Sequence, residues 1–212
     1  MGVIERIGSA RLLPVLRLDS ADRALAAVDA CVSAGLGVVE LTSTTPDWET
    51  VLDRTLRDHP GVLVGVGTVI HPKQAQRALD QGAHFLVSPF PVPDVRAGLP
   101  PDAVLIEGGM TVREVIEAAS RGLAKLFPAH VGGPSFLRSV LAIVPEARIV
   151  PTGGISLADI PTWFAAGAYA VGVGSDLVRE PDIAAAIRKA LDNHTSAYGD
   201  PAVSGQGDAG SS

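Results

Sequence analysis

Cysteine is almost absent: Cys31 is the only one in 212 residues. A single thiol cannot close an internal disulfide or build a thiolate metal cluster. Its alanine-rich surroundings read as those of a small buried apolar side chain. Long hydrophobic runs are missing as well, and none approaches the roughly 20 residues that cross a bilayer. There is no long block of lysine or arginine, and the formal net charge is -6. That balance argues against nucleic acid or an anionic membrane as the main partner, while leaving room for a local basic pocket. The histidines His59, His71, His84, His130 and His194 show no metal-ligand spacing, so no metal is expected. Residues 1–6 lack the apolar core of an export signal, and Arg6 stands where myristoylation requires Ser or Thr. The expected location is therefore cytoplasmic.

What is present is a globular composition, 47% hydrophobic, in which short β-rich runs alternate with helix-patterned segments. The strand candidates are residues 12–18, 37–42, 62–66, 85–88, 104–107, 124–127, 148–152 and 170–174. They are almost continuously apolar, as parallel strands buried on both faces are. Helices are expected over 20–34, 72–81, 111–120, 134–144, 156–166 and 181–192. Ser20 is a plausible N-cap, Gly35 a C-terminal stop, and Pro72 suits a first helical turn. The segment 92–99 is short and broken by proline, a poor helix. Trp48 and Trp163 read as helix-packing aromatics, with Trp48 also close enough to Glu40 in sequence to border a pocket.

Eight strand–helix repeats at this spacing predict an α/β chain folded as one (β/α)₈ TIM barrel over residues 1–194. An open doubly wound sheet is the rival, because alternation alone does not establish closure. Residues 195–212 have no apolar pattern and are expected to be a disordered tail.

Chemistry should then gather at the C-terminal ends of the strands. Lys125 lies inside the apolar run Leu123-Ala124-Lys125-Leu126-Phe127-Pro128. Removing an ammonium from water is costly, and burial favours the neutral amine, a nucleophile able to condense with a ketone. The bland alternative is a snorkelling lysine at a strand end. Glu40 follows Val38-Val39 and serves either in proton transfer or in an ion pair with Arg17 or Lys125. Glycine turns at Gly132-Gly133, Gly153-Gly154 and Gly174-Ser175 are either tight connections or an anion cradle. Loops after strands seven and eight are the recurrent phosphate site of such barrels.

Lys125-Leu126-Phe127-Pro128-Ala129, with Glu40, Gly65-Val66-Gly67-Thr68-Val69 and Pro151-Thr152-Gly153-Gly154-Ile155-Ser156, resembles the 2-keto-3-deoxy-6-phosphogluconate and 6-phosphogalactonate aldolase family. The resemblance implies a class I aldolase without metal or cofactor, a homotrimer of barrels acting on a small 2-keto acid. Lys125 matches the family's Schiff-base lysine, and Glu40 the glutamate that moves protons. Thr68 matches a threonine near the pyruvate carboxylate, while Gly153, Gly154 and Ser175 match the phosphate lining, beside Gly174. Arg17 matches the first-strand arginine of the phosphogalactonate branch; after Glu40, where the phosphogluconate branch has its arginine, this chain has Ser43-Thr44-Thr45.

Two departures bear on substrate choice. Pro89 keeps the family's Ser/Thr-Pro step, but Phe90 follows it where Gly or Asn is common. Glu107 stands where the fifth strand is commonly followed by Pro-Gly. Phe90 adds bulk and Glu107 adds charge near the expected mouth, unless Glu107 points outward. The competing readings are an aldolase for 4-hydroxy-2-oxoglutarate, a phosphate-binding isomerase, epimerase or synthase, and a binding protein that has lost catalysis.

Overall fold

The computed structural model of the chain describes residues 1–198. The apolar runs become eight strands: β1 (Leu12–Leu16), β2 (Val38–Thr42), β3 (Leu63–Gly67), β4 (Phe85–Val87), β5 (Leu105–Gly109), β6 (Ala124–Leu126), β7 (Ile149–Pro151) and β8 (Val171–Val173). Each pairs in parallel with its sequence neighbour from β1 to β7, and β8 returns to β1. The last gap is bridged by the Tyr169 N–H donating to the Ile149 carbonyl at 2.9 Å and by a parallel bridge between Thr152 and Gly172. The sheet is a ring, the TIM-barrel fold, and not an open doubly wound sheet.

Strand parity sorts the core into two shells. Leu13, Val38, Leu63, Phe85, Ile106, Leu123, Val150 and Ala170 fill the barrel interior. The alternate residues, among them Leu12, Val39, Val64, Leu86 and Ile149, pack outward against the helices. Each large aliphatic side chain buried this way contributes about 1.5–3 kcal/mol relative to exposure.

The helices are α1 (Val3–Ala10), α2 (Ala21–Ser33), α3 (Trp48–Asp58), α4 (Pro72–Asp80), α5 (Pro93–Ala97), α6 (Val112–Ala119), α7 (Ala129–Ile143), α8 (Ile160–Ala165) and α9 (Ile183–Tyr198). Ser20 caps α2 by accepting from the Arg23 N–H at 3.3 Å. Thr111 and Glu114 form a capping box on α6, and the N–H groups of Thr111 and Met110 hold the Glu114 carboxyl below its ordinary value. Cys31 is buried in α2, where desolvation pushes its thiol up to about 12.

Several elements differ from the sequence expectation. Helix α1 was not foreseen; Ile7 buries into the barrel interior, and Arg6 Nη2 donates to the Gly37 and Gly61 carbonyls beside the starts of β2 and β3. Helix α3 was not foreseen either. The proline-broken segment does form one short helix, α5, with Pro93 in its first turn, where a missing N–H costs nothing. Helix α7 starts earlier than expected, with a break at Gly133 (φ 63°, ψ -175°) just before Pro134. Helix α9 runs to Tyr198, and the rest of the expected tail lies outside the described residues.

Candidate active site

The parity that places Leu13, Val38, Leu123 and Val150 inside the barrel carries on toward the strand ends. Two residues further on stand Val15, Glu40, Lys125 and Thr152, all in one cavity. Glu40 comes from β2 and Lys125 from β6, on opposite sides of the ring. Their side chains meet, Lys125 Nζ donating to Glu40 Oε1 at 3.3 Å. Lys125 is 6% exposed and Glu40 1%, so this is no snorkelling lysine. The amine also lies 5.5 Å from the centroid of the Phe127 ring, a cation–π distance. Glu40 Oε2 is buried and makes no hydrogen bond among the described residues. A buried carboxylate oxygen in that condition is an acceptor available to a ligand hydroxyl or a water.

Arg17 follows β1 and leans toward the ends of β2 and β3. Its Nη1 donates to Thr44 Oγ1 at 2.5 Å and its Nη2 to Thr68 Oγ1 at 2.9 Å. Thr68 has a left-handed backbone, φ 61°, unusual for a β-branched residue, and its carbonyl accepts from Ser43 Oγ at 2.9 Å. Strain of that kind persists where surrounding contacts fix it, and here they fix the hydroxyl that orients the guanidinium. Beyond β7 and β8, Gly153 (φ 95°) and Gly154 (φ 70°) adopt turns closed to most side chains. Asp176 Oδ2 accepts from the Leu157 N–H at 2.8 Å and ties these two loops together.

The cavity holds about 360 Å³. Lys125, Glu40, Arg17, Thr68 and Pro89 all line it, as do Gly153, Gly154, Gly174 and Ser175. These nine expected residues are thus brought to one place. Sequence reasoning missed three others. Thr44 orients Arg17, Thr152 adds a hydroxyl to the wall, and Arg179, after β8, lines the same cavity. Among the described residues, no cluster of three or more His, Cys, Asp or Glu side chains is placed to hold a metal ion.

The structure decides three points that the sequence leaves open. Glu107 adds no charge to the mouth: it has the outward parity, is 3% exposed, and is paired with Arg96 and Arg121. Phe90 is exposed and does not line the cavity, so its bulk does not narrow it. Gly132-Gly133 lies within α7 and away from the cavity lining, where it breaks the helix. His130 sits beside the glycine loop, its Nδ1 3.3 Å from the Gly153 carbonyl, without lining the cavity.

A buried amine in contact with a carboxylate, at the C-terminal mouth of a (β/α)₈ barrel, is an arrangement suited to breaking a carbon–carbon bond through an amine. Comparison with known proteins agrees. The sequence model of the aldolase family described as KDPG and KHG aldolase matches residues 3–190. The chain is 34% identical over 160 residues to 2-dehydro-3-deoxy-phosphogluconate aldolase of Pseudomonas aeruginosa, covering 74% of this chain and 73% of that one. It is 30% identical over 173 residues to 2-dehydro-3-deoxy-6-phosphogalactonate aldolase of Escherichia coli, covering 79% and 84% respectively. A crystal structure of KDPG aldolase from Legionella pneumophila, with pyruvate captured as a covalent carbinolamine, superposes with a TM-score of 0.78 at 28% identity. That superposition covers 88% of this chain and 95% of the other. The chain belongs to the KDPG and KHG aldolase family and is an aldolase.

Proposed function

We propose that this aldolase cleaves a 2-keto-3-deoxy-6-phospho sugar acid, of the phosphogluconate or phosphogalactonate type, to pyruvate and glyceraldehyde 3-phosphate. The observation that carries the reading is the contact between Lys125 and Glu40 inside the cavity. At 3.3 Å the carboxylate can take a proton from the ammonium, leaving a nucleophilic amine. That amine adds to the C2 carbonyl, and Glu40 returns the proton as the carbinolamine loses water to form an iminium. Glu40 then accepts the C4 hydroxyl proton, the C3–C4 bond breaks, and its electron pair moves into the iminium to give an enamine. The aldehyde departs. Protonation of the enamine at C3 and hydrolysis release pyruvate and restore the amine.

Arg17, held by Thr44 and Thr68, is placed to bind the substrate carboxylate through its guanidinium and so to fix the keto carbon over Lys125. The glycine turns after β7 and β8, with Ser175, supply backbone and hydroxyl groups for the phosphate.

Incubation with pyruvate and borohydride, followed by peptide mass analysis, should place one reduced adduct on Lys125. No adduct there would remove the Schiff base. Glu40→Gln should keep part of that adduct while slowing turnover by roughly 10²–10⁴-fold. A panel of phosphogluconate-type, phosphogalactonate-type and 4-hydroxy-2-oxoglutarate substrates, followed by pyruvate release, ranks the acids.

Homotrimer assembly and a cytoplasmic location belong to the same proposal. Phe90 and Met110, in the loops after β4 and β5, and Val131, in the first turn of α7, are exposed large apolar side chains suited to contact between subunits. Sedimentation at three times the chain mass is expected; a monomer would remove the assembly. A phosphorylated substrate is charged and held inside the cell, which supports the location.

A further inference from the structure

The sequence resemblance accounts for the phosphate end of the cavity with glycines and a serine, none of which carries charge. The structure adds Arg179. It closes the short 3₁₀ turn Leu177–Arg179 that follows β8, and it lines the same cavity as Lys125, Gly153 and Gly154. Among the described residues Arg179 has neither an ion pair nor a hydrogen-bonding partner for its guanidinium. Arg17, by contrast, is committed to Thr44 and Thr68 on the β2–β3 side. The cavity therefore holds three cationic side chains, Arg17, Lys125 and Arg179, against one carboxylate, Glu40, in a chain of net charge -6. An excess of positive charge confined to one cavity of an acidic protein selects an anionic ligand.

Resting on the aldolase reading, we propose that Arg179 is a specificity-determining residue: it binds the terminal phosphate of the substrate and makes the enzyme prefer phosphorylated 2-keto-3-deoxy acids over the same acids without phosphate. Two features of the site support this. The turns at Gly153 and Gly154 take positive φ, which lets backbone N–H groups approach an anion, but they do not distinguish a dianion from a neutral hydroxyl by charge. A guanidinium does, because its planar fork of donors matches phosphate oxygens and gains little from an uncharged end group. The Asp176 side chain fixes the β8 loop to the Leu157 N–H three residues before Arg179, so the arginine rises from an anchored turn.

The test is the selectivity ratio, kcat/KM for a phosphorylated 2-keto-3-deoxy acid divided by kcat/KM for its unphosphorylated counterpart. Arg179→Ala should lower that ratio about 10- to 100-fold, the usual effect of losing a charge-assisted contact. Arg179→Lys should restore part of it. An Arg179→Ala ratio within twofold of the parent overturns the proposal, even if both rates fall. Titration with inorganic phosphate reads the same contact without catalysis. Saturable binding weakened about tenfold or more in Arg179→Ala is expected, and no phosphate binding to the parent, or equal binding to both proteins, overturns the proposal. Borohydride trapping of pyruvate on Lys125 in the parent protein reports on the aldolase reading separately. A missing adduct with arginine-dependent phosphate binding sinks that reading alone, and an adduct with an unchanged ratio sinks the role of Arg179 alone.

Discussion

A β carbon on Gly67 would overlap Glu40 Oε1, so the carboxylate reaches Lys125 only because β3 ends in a residue without a side chain. The constraint is steric, since Gly67 is not among the residues with positive φ. Gly67→Ala should push the carboxylate aside and leave the amine in place. Overpacking would lower stability by about 1–3 kcal/mol. A shift of the order of 1 Å in a proton-transfer group should lower kcat about 10²-fold. Pyruvate should still be trapped on Lys125 by borohydride in a variant shown to be folded by circular dichroism. A kcat within threefold of the parent would mean that Glu40 does not need its observed position. Lys125 and Glu40 were legible in the sequence because a charge inside an apolar strand is conspicuous. Arg179 was not: it sits among Asp176, Glu180 and Asp182, and an arginine in a polar loop has the look of ordinary solvated surface. Thr44 lies in the stretch Ser43-Thr44-Thr45 that lacks an arginine after Glu40, and nothing in that stretch announces that its hydroxyl orients Arg17.

Among the elements, β5 shows what strand parity decides. Glu107 lies one residue beyond Ile106, which faces the barrel interior, so its side chain enters the layer between β5 and the helices. There it accepts from the Val92 N–H at 3.0 Å and from Arg96 Nε at 2.9 Å, and pairs with Arg121 at 3.1 Å. In a continuously apolar strand polarity does not mark the face, and one residue of offset moves a charge from the mouth to the wall. Removing this carboxylate leaves the Val92 N–H unpaired and takes from two guanidinium groups their buried anion, although Arg96 keeps the Leu105 carbonyl and Arg121 the Glu117 carboxylate. Both arginines retain some contact with solvent, which places Glu107→Ala at about 2–4 kcal/mol, near the low end for breaking a buried pair. In a chain of this size the melting temperature should fall by about 5–12 °C. The kcat/KM for the keto acid, measured where both proteins are folded, should stay within twofold. A large change in kcat/KM with little loss of stability would return Glu107 to the site. Helix α3 teaches a related lesson. Trp48, Val51, Leu52 and Thr55 give a buried face at helical spacing, but Asp47 enters the helix in a left-handed conformation without a side-chain cap. The usual start signal is missing, and the helix passes for loop.

For the whole molecule, closure of the ring was the property that alternation of strands and helices left open, and the structure closes it thinly. Five residue pairs join β2 to β3 and three join β1 to β8, but β7 meets β8 through one bridge and the Tyr169–Ile149 hydrogen bond. The loops that rise from the two sides of this seam carry Gly153 and Gly154 on one side and Gly174, Ser175 and Arg179 on the other. An anion gripped by both loops would act as a tie across the weakest join of the barrel. Amide exchange tests this directly. Without ligand, the Tyr169 N–H should exchange faster than the β2–β3 amides, because it opens with the seam instead of with global unfolding. Inorganic phosphate at about 100 times its Kd stabilises the bound state by roughly 2.7 kcal/mol, so exchange at Tyr169 should slow about 100-fold if opening the seam breaks the site. Pyruvate, which the proposed mechanism binds through Lys125 and Arg17 on the strands flanking the seam and not through its two loops, should slow it less. Protection at Tyr169 equal to that of β2 and β3 without ligand, or unchanged by phosphate, would mean that the seam opens independently of the anion site.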